Sequence, residues 1–364
     1  MSKTHTLIFA LHLSTPINQM NVFQIGKNNK RIRLDDIHKK ISRNIPNRIN
    51  LLKNFLESME EKGLSKNKLK IALAIPSYIL EVLIKEHNSA YNELKNIIDA
   101  YPVEFLLTTY YSSSLAVLSQ EELSIQLFAE KKLIKKYFGL EPNIFFTNDR
   151  AVSEKTFSAL SKQKIKGIVF ATNGPAKIMH YLNSSIPVID SVDEKREKKK
   201  DSKDVLIVNT YSFMDLSKNS VIDDIKSLLL KINSSDEKLL LPKESFNKLT
   251  SIVVLEKKQF VEQLSPMELK LLTELQKIYH PIKKTRDTNL IDEWRFLANK
   301  ELIQNANPNT ASQEHSPYEY FVNFMNILND VAHTVRSVRA IEEGFDLPKV
   351  ELSNNPSSLI KKIN

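Results

Sequence analysis

Residues 103–149 show a pattern of hydrophobic and polar positions that predicts a strand, a loop, a helix and a second strand. Residues 103–109 are rich in β-branched and aromatic side chains, and residues 144–146 form a second short apolar run. Asp149 follows that second run. Because parallel β/α folds place their chemistry at the carboxyl ends of strands, Asp149 is a candidate functional residue.

The helix between these two strands carries sequence signals at both ends. It begins at residues 119–122, Ser-Gln-Glu-Glu, a capping box that satisfies free backbone N–H groups. Gly139 and Pro142 are typical of a helix end. Inside the helix, apolar residues recur at helical spacing, so one face is predicted to pack on the sheet.

The same alternation of strands and helices continues over most of the chain and predicts an α/β protein. Strands are predicted at residues 6–13, 69–75, 103–109, 144–146, 165–171, 186–189 and 205–214. Helices are predicted at residues 46–62, 77–100, 119–138, 153–163 and 221–232. The run at 69–75 is apolar apart from one lysine, as expected for a strand that is covered on both faces.

After residue 265 the pattern changes to helices alone, at residues 267–279, 290–306 and 318–343. This change predicts a helical region that packs against the α/β part. We therefore expect a barrel-type domain at residues 1–235, a helical domain at residues 236–345 and a flexible tail at residues 346–364.

The composition narrows the possible classes of function. The chain of 364 residues contains no cysteine, which excludes disulfides and thiolate chemistry and favours a cytoplasmic protein. No run approaches the length of a membrane span, so no membrane association is expected. The sequence has no glycine-rich phosphate loop, and its eight histidines show no metal-ligand spacing. We therefore expect no cofactor and no metal.

The net charge of +9 results from 52 basic and 43 acidic residues that are spread along the chain. One cluster, at residues 193–201, mixes both signs, and we interpret it as a solvated loop rather than a nucleic-acid patch. It lacks interleaved aromatic residues that would stack on bases. Nucleic acid is therefore not an expected partner.

Several short motifs resemble glycoside hydrolase family 57, of the α-amylase and 4-α-glucanotransferase type. In that family a Val-Glu-Phe strand leads to Thr-Tyr-Tyr-His-Ser, a helix, Phe-Gly-Val-Glu-Pro and a short strand that carries the nucleophilic glutamate. The matching residues here are 103–105, 109–113, 138–142 and Asp149, and residues 316–330 resemble a C-terminal family segment. The resemblance implies an incomplete barrel of the (β/α)7 type followed by a helical region.

The resemblance also implies the two carboxylates of a retaining glycosidase, with Asp149 as nucleophile and Asp215 as acid/base. Residues 213–215, Phe-Met-Asp, match the start of the family motif that carries the acid/base. In retaining enzymes the two groups stand about 5 to 5.5 Å apart. The alternative interpretation of Asp215 is a carboxylate at the start of a helix.

Five departures from the family pattern fall in the same predicted cleft. Asp149 is one methylene shorter than the family glutamate, Ser112 and Leu302 replace family histidines, and Arg150 adds a positive charge beside the nucleophile position. The Glu-Thr-Phe-Gly-Glu-His segment after the acid/base is missing as well. Because a displacement of about 1 Å at a reacting group can cost about a hundredfold in rate, we expect degraded catalytic machinery.

Four further residues are candidates for sugar binding. His12 matches a substrate-binding histidine of the family's first strand, although the Gln-Pro that follows it there is absent. Tyr110, Tyr111 and Trp294 are expected to stack on sugar rings. The alternative interpretation of all four is a place in the hydrophobic core.

Three functions remain open from the sequence. The first is a family 57-like protein that binds an α-glucan, or an active relative, without catalysis. The second is an active α-amylase or 4-α-glucanotransferase that uses Asp149 and Asp215, so enzymatic activity stays undecided. The third is a basic scaffold for an acidic partner, which would require salt-sensitive association with nucleic acid.

Overall fold

In the computed structural model, ten strands of the described residues form one sheet. The structure describes residues 2–11, 13, 16–27, 30–149, 152–171, 173–181, 186–191, 204–248, 253–255, 264–308 and 316–342. The strands are β1 (Ser2–Ala10), β2 (Ile71–Ala74), β3 (Val103–Phe105), β4 (Ile144–Thr147), β5 (Gly167–Phe170), β6 (Asn173–Tyr181), β7 (Pro187–Ser191), β8 (Asp204–Ser212), β9 (Lys238–Leu239) and β10 (Val253–Leu255).

The main path of the sheet has the order β3-β2-β1-β8-β6-β7-β5-β4 and closes into a barrel. Closure occurs just past β3, where the Leu107 amide donates to the Ile144 carbonyl at 2.9 Å and the Phe146 amide donates to the Leu107 carbonyl at 2.7 Å. All pairings on this path are parallel except those of β6, which is antiparallel to β7 and β8. The predicted barrel, with its seven predicted strands, is confirmed.

Strand β6 was not predicted from the sequence. It contains Gly174 and Pro175 near its start, and these residues are typical of turns rather than strand interiors. The strand lies between β7 and β8 and is thus the eighth strand of the barrel's main path.

Alternate residues of each strand form two separate hydrophobic cores. Ile8 and Ala10 of β1 belong to a cluster inside the barrel, whereas Leu7 and Phe9 belong to the larger cluster between the barrel and its helices. This division follows from the side-chain period of two in a strand. It also explains why the strands are apolar on both faces.

Eleven α-helices of the described residues surround the barrel and form the C-terminal region. On the barrel side they are α1 (Leu34–Glu61), α2 (Ser77–Glu86), α3 (Asn88–Ala100), α4 (Gln120–Phe138), α5 (Glu154–Lys162), α6 (Asn219–Asn233) and α7 (Pro242–Lys248). The later ones are α8 (Pro266–Thr285), α9 (Thr288–Leu297), α10 (Lys300–Gln304) and α11 (Pro317–Glu342). None of them is both long and apolar enough to cross a membrane.

Helix α4 has the predicted ends. The Ser119 side chain accepts a hydrogen bond from the Glu122 amide, and Gly139 adopts the left-handed conformation with φ 70°. The reciprocal half of the predicted capping box is absent, because the Glu122 carboxylate accepts hydrogen bonds from Arg295 instead. The helix therefore starts and stops where the sequence indicates.

Helix α1 starts twelve residues earlier than the sequence analysis predicted. Its start was placed at Pro46, since proline is common in the first turn, but the helix begins at Leu34 and Pro46 lies inside it. Ile37, Ile41 and Ile45 continue the buried stripe back to the true start. This burial outweighs the hydrogen bond that the proline cannot donate.

Helix α7 closes the amino-terminal end of the barrel. Phe246 packs so tightly on Gly167 that a Cβ atom there would lie 2.5 Å from the Phe246 ring. The Ser245 hydroxyl lies 3.1 Å from that of Thr6, and the Lys243 amide donates to Glu104 Oε2 at 3.0 Å. Burial raises the pKa of Glu104 to about 7.

The segment before α7 also adds to the sheet, since β9 pairs with β1. The division of the chain at residue 235 stays a prediction, and the structure places residues 238–248 on the barrel. The tail predicted at 346–364 lies outside the described residues.

Between β1 and α1, the described residues 16–27 and 30–33 form a hairpin-like segment that we call the strap. Its two ends pair with each other: the Asn18 amide donates to the Arg31 carbonyl at 2.9 Å and the Arg33 amide to the Pro16 carbonyl at 3.0 Å. Because the strap follows β1 in the chain, it lies at the carboxyl end of the barrel. Helix α11 holds it there by side-chain hydrogen bonds.

Candidate functional site

A small cavity lies at the carboxyl ends of β3 and β4, beside α10. Its volume is about 30 Å³, and its lining residues include Thr108, Ser112, Asn148, Asp149 and Lys300. A water molecule needs at least about 10 to 15 Å³ of such space, so the cavity has room for about two waters. A complete pyranose ring does not fit inside it.

Asp149 is a buried member of this cavity, with 4% of its surface exposed. Its Oδ2 atom accepts hydrogen bonds from the Ser114 hydroxyl at 2.8 Å and from the Leu115 amide at 2.7 Å. Its own amide donates to the Thr147 hydroxyl at 2.9 Å. One carboxylate oxygen is thus already bonded to the loop that follows β3.

A second cavity, of about 20 Å³, lies on the other side of the same carboxylate. Asp149 and Lys300 line both cavities, whereas Glu268 and Leu272 of α8 line only the second. Asp149 therefore sits where the barrel meets the helical region.

The loop that holds Asp149 is itself fixed to the helical region. The Ser114 amide donates to the Ala298 carbonyl at 2.8 Å, and the Lys300 amide donates to the Ser112 carbonyl at 2.9 Å. Ser112 has a left-handed backbone with φ 56°. A non-glycine residue pays a steric penalty in this conformation, so the pairing with residues 298–300 stabilises the loop in this form.

Lys300 and Glu301 bring charge to the first cavity. The Lys300 ammonium donates to the Asn148 carbonyl at the end of β4. Burial raises the pKa of Glu301 to about 7, while the positive charges of Lys40 and Lys300 act in the opposite direction. The site thus has a carboxyl group that titrates close to neutral pH.

Glu130 of α4 lies directly behind the cavity and is fully buried. Its Oε1 atom accepts from the Thr108 amide at 3.2 Å and from the Thr108 hydroxyl at 3.1 Å. Its Oε2 atom has no hydrogen-bond partner among the described residues. Burial raises the pKa of Glu130 to about 8, so the group is mainly neutral at pH 7.

Asp215 lies in the short 3₁₀ helix after β8 (Phe213–Ser217), at the same end of the barrel as Asp149. It forms an ion pair of 2.7 Å with Lys218, and 39% of its side chain is exposed. Three strands separate β4 from β8 in either direction around the ring. Asp215 lines neither of the two cavities beside Asp149.

Tyr110 and Tyr111 belong to an aromatic cluster under the site. Their ring centroids are 4.9 Å apart, and Tyr111 also packs edge-on against Phe296 at 5.0 Å. The Arg295 guanidinium lies 5.8 Å from the Tyr111 ring centroid. Burial raises the pKa of both tyrosines. These contacts cover much of both rings, and sugar stacking by either tyrosine stays a prediction.

Trp294 is a core residue in this structure, with 1% of its surface exposed. Its indole N–H donates to the Leu275 carbonyl at 3.0 Å, and its ring lies 4.5 Å from that of Tyr279. The predicted binding role of Trp294 has no support in this placement, because no face of the ring is open to a sugar.

Two sequence candidates fall outside the described residues, namely His12 and Arg150. Among the residues that the structure does describe, no group of three or more histidine, aspartate or glutamate side chains is arranged to hold a metal ion.

Comparison of the sequence with models of known protein families identifies the family of this chain. The model of glycosyl hydrolase family 57 matches residues 9–189, a segment that begins in β1 and ends in β7 and includes the loop and strand around Asp149. The chain belongs to glycosyl hydrolase family 57. A search of curated protein sequences gives no match.

Solved structures share the fold of this family 57 chain at low sequence identity. The 4-α-glucanotransferase from Thermococcus litoralis is 12% identical with a TM-score of 0.59, over 92% of this chain but 60% of that one. The GH57-type branching enzyme from Pyrococcus horikoshii is 11% identical with a TM-score of 0.59, over 94% and 91% of the two chains. The α-amylase AmyC from Thermotoga maritima is 9% identical with a TM-score of 0.58, over 94% and 95%.

This family 57 chain therefore spans less than two thirds of the length of the glucanotransferase and nearly all of the length of the other two enzymes. At identities this low, the likeness shows the fold alone.

Two positions at which the family 57 pattern has histidine are structural here. Leu302 is completely buried, and the Ser112 hydroxyl is buried without a hydrogen-bond partner among the described residues. The leucine side chain cannot form hydrogen bonds, and a serine hydroxyl does not titrate near neutral pH as an imidazole does, so neither replaces its proton-transfer capacity.

The sequence analysis missed three residues of the site, Ser114, Lys300 and Glu301. Helix 290–306 was predicted as continuous, but it breaks at Asn299, whose side chain caps α10 by accepting from the Leu302 amide. Asparagine is a strong helix start signal, and it would have placed Lys300 and Glu301 in a first turn. Ser114 carried no comparable signal.

Proposed function

We propose that this family 57 chain binds an α-glucan without cleaving it. The carrying observation is the state of Asp149: its carboxylate is buried, its Oδ2 atom is bonded to Ser114 and Leu115, and the cavities beside it are only about 30 and 20 Å³. A nucleophilic carboxylate must present an oxygen to an anomeric carbon. Here one oxygen is engaged by the protein, and each enclosed space beside the group is smaller than a sugar ring.

The position of Asp215 supports the absence of cleavage. A retaining mechanism needs an acid about 5 to 5.5 Å from the nucleophile, facing the same glycosidic bond. Asp215 instead pairs with Lys218 on the far side of the ring and lines neither cavity of Asp149.

The choice of an α-glucan as ligand rests on the family and on the fold. The structures that share this fold include enzymes named for 4-α-glucan transfer, branching and amylase activity. Loss of catalysis with retention of binding is consistent with a site whose reacting groups are altered while the surrounding barrel is intact.

A second candidate is an active retaining α-amylase or 4-α-glucanotransferase that uses Asp149 as nucleophile and Asp215 as acid/base. It is favoured by one observation: both residues follow strands and lie at the carboxyl end of the barrel, where such enzymes place their chemistry.

One experiment separates the two candidates. Purified protein is incubated with maltoheptaose and with amylose, and the products are separated by chromatography, beside Asp149→Asn and Asp215→Asn variants. In parallel, migration of the protein through native gels with and without amylose measures binding. We expect slower migration in amylose and no new oligosaccharides.

New or redistributed chains that disappear in both variants would establish the active enzyme. Equal migration with and without amylose would refute glucan binding and leave association with a protein partner, such as an active relative, as the remaining role.

A further inference from the structure

The strap carries the most exposed large apolar side chain in the described part of the protein. Phe23 is 80% exposed, and its neighbour Val22 is 61% exposed. A phenylalanine left in water forgoes about 1.5 to 3 kcal/mol of burial energy. An exposed ring on a mobile loop needs no explanation. An exposed ring on an ordered backbone is a candidate binding surface.

The turn under Phe23 is fixed by its own side chains. Residues Val22–Gln24 form a single 3₁₀ turn. The Asn21 side chain accepts from the Phe23 amide at 3.0 Å, and the Asn21 amide donates to Gln24 Oε1 at 2.8 Å. This reciprocal capping box satisfies the free backbone groups of the turn.

Helix α11 holds the strap on one side of this turn. Asn323 accepts from the Met20 amide at 2.6 Å and donates to the Asn18 carbonyl at 3.0 Å. Asn326, one turn further along, donates to the Met20 carbonyl at 2.8 Å. The side chains of α11 thus take the place of a neighbouring strand for this part of the strap.

A buried ion-pair cluster holds the strap on the other side of the turn. Arg31 Nε lies 2.6 Å from Asp330 Oδ2 and Arg31 Nη1 lies 2.6 Å from Glu293 Oε2. The other Asp330 oxygen accepts from the Gly26 amide. Gly26 has φ 80°, and a Cβ atom there would lie 2.9 Å from the His333 ring. The strap backbone therefore packs closely against α11 at this position.

We propose that Phe23 is a stacking platform for a glucose unit of an α-glucan. One face of a pyranose ring presents C–H groups, which pack on the electron-rich face of an aromatic ring. The backbone is already ordered, so binding does not have to order the loop. The strap follows β1, so the platform lies at the same end of the barrel as Asp149 and Asp215. The assignment rests on the proposed function and adds to it a contact outside the cavities of Asp149.

The size and surroundings of the feature favour a sugar over a protein partner. A stable protein interface buries about 800 Å² on each side, whereas the exposed apolar surface of the turn consists of two adjacent side chains. The flanking residues, Asn21 and Gln24, are polar, so the exposed apolar surface of the turn does not extend beyond Val22 and Phe23.

The test compares three variants with the wild type in native gels that contain a series of amylose concentrations. Phe23→Ala removes the ring, Phe23→Trp keeps an aromatic face, and Phe128→Ala removes a ring that is 61% exposed on α4, away from the strap. We expect Phe23→Ala to weaken the affinity about tenfold, a loss typical of one aromatic contact. Phe23→Trp should bind at least as tightly as the wild type, and Phe128→Ala should bind equally.

The outcomes separate this assignment from the proposed function. Wild-type binding that Phe23→Ala leaves unchanged would overturn the platform and leave glucan binding intact. Absence of wild-type binding would overturn both. An equal loss in Phe23→Ala and Phe128→Ala would indicate a nonspecific apolar effect and would also overturn the platform. Because Phe23 is exposed, its variants should keep the wild-type circular dichroism spectrum and melting temperature.

Discussion

The Ser114 hydroxyl donates a 2.8 Å hydrogen bond to Asp149 Oδ2, so the carboxylate that the family pattern marks as nucleophile is bonded to the loop after β3. The amide of the same serine donates to the Ala298 carbonyl of the helical region. Asp149 therefore helps to join β4, this loop and the helical region. A carboxylate in such a joint contributes to stability whether or not it takes part in chemistry.

Ser114→Ala should lower the free energy of unfolding by about 1.5 to 3 kcal/mol, the range for a hydrogen bond to a charged group. The hydroxyl is lost, while the Leu115 amide still bonds to Asp149. Urea denaturation followed by circular dichroism measures the change. Ser337→Ala is the control, since that hydroxyl bonds to the His333 carbonyl on an exposed part of α11, and its effect should stay within about 0.5 kcal/mol. Equal effects of the two changes would contradict a joint at Asp149.

The fluorescence of Trp294 should be that of a buried indole and should not respond to glucan. Trp294 is the single tryptophan of the chain and is 1% exposed. Emission spectra of the native protein with and without maltoheptaose test this directly. A shift or quenching on addition of the sugar, absent when sucrose is added instead, would restore Trp294 as a binding residue.

Glu130→Gln should change how stability depends on pH. Burial raises the pKa of Glu130 from 4.5 to about 8 in the folded protein. In this interval the folded state holds a proton that the unfolded state has released, so the contribution of Glu130 to stability is complete below pH 4.5 and falls as the pH rises through about 8. Glutamine is neutral throughout and can still accept from Thr108.

The measurement is the free energy of unfolding by urea at several pH values, for the wild type and for Glu130→Gln. The variant should gain stability relative to the wild type as the pH rises, and the gain should level off above about pH 8. Because other titrating groups, including Glu104 and Glu301, are common to both proteins, they cancel in the difference. Parallel curves would show that Glu130 ionises normally in the folded state.

Gly167→Ala should displace helix α7 from the amino-terminal end of the barrel. The new Cβ atom would lie 2.5 Å from the Phe246 ring, and overpacking of a core typically costs about 1 to 3 kcal/mol. Adding Phe246→Leu should recover part of that loss, because it removes the clashing ring. Denaturation of the single and double variants measures both effects. A double variant that is less stable than the sum of the two single changes would contradict direct packing between these positions.

Most of the barrel could be predicted from the sequence because its strands and helices have strong local patterns. The apolar run of β2 and the capped helix α4 needed no tertiary information. Helix α1 was predicted too short because Pro46 resembles a first-turn residue, while the buried isoleucines before it decide the fold. Strand β6 was missed because its Gly-Pro start is unfavourable in isolation and is stabilised only by pairing with β7 and β8.

The site was less predictable because it depends on contacts between distant parts of the chain. Asp149 was found from its place after a strand. Its partner Ser114 has no local signature. The helix-start signal at Asn299 places Lys300 in a first turn but does not show that it lines the cavity, since that role arises from the pairing of residues 112–114 with 298–300. Trp294 was a reasonable candidate by residue type, and only the packing of α8 against α9 shows that it is buried.

The contact between Arg31 and Asp330 joins residues that are 299 positions apart in the chain. Closing a loop of that length is entropically costly, and the cost must be met before the ion pair contributes anything. We therefore expect this contact to form late in folding, after the barrel has brought the two segments together. During synthesis on a ribosome, the segment that carries Phe23 emerges before α11 and reaches its final place only once α11 has emerged.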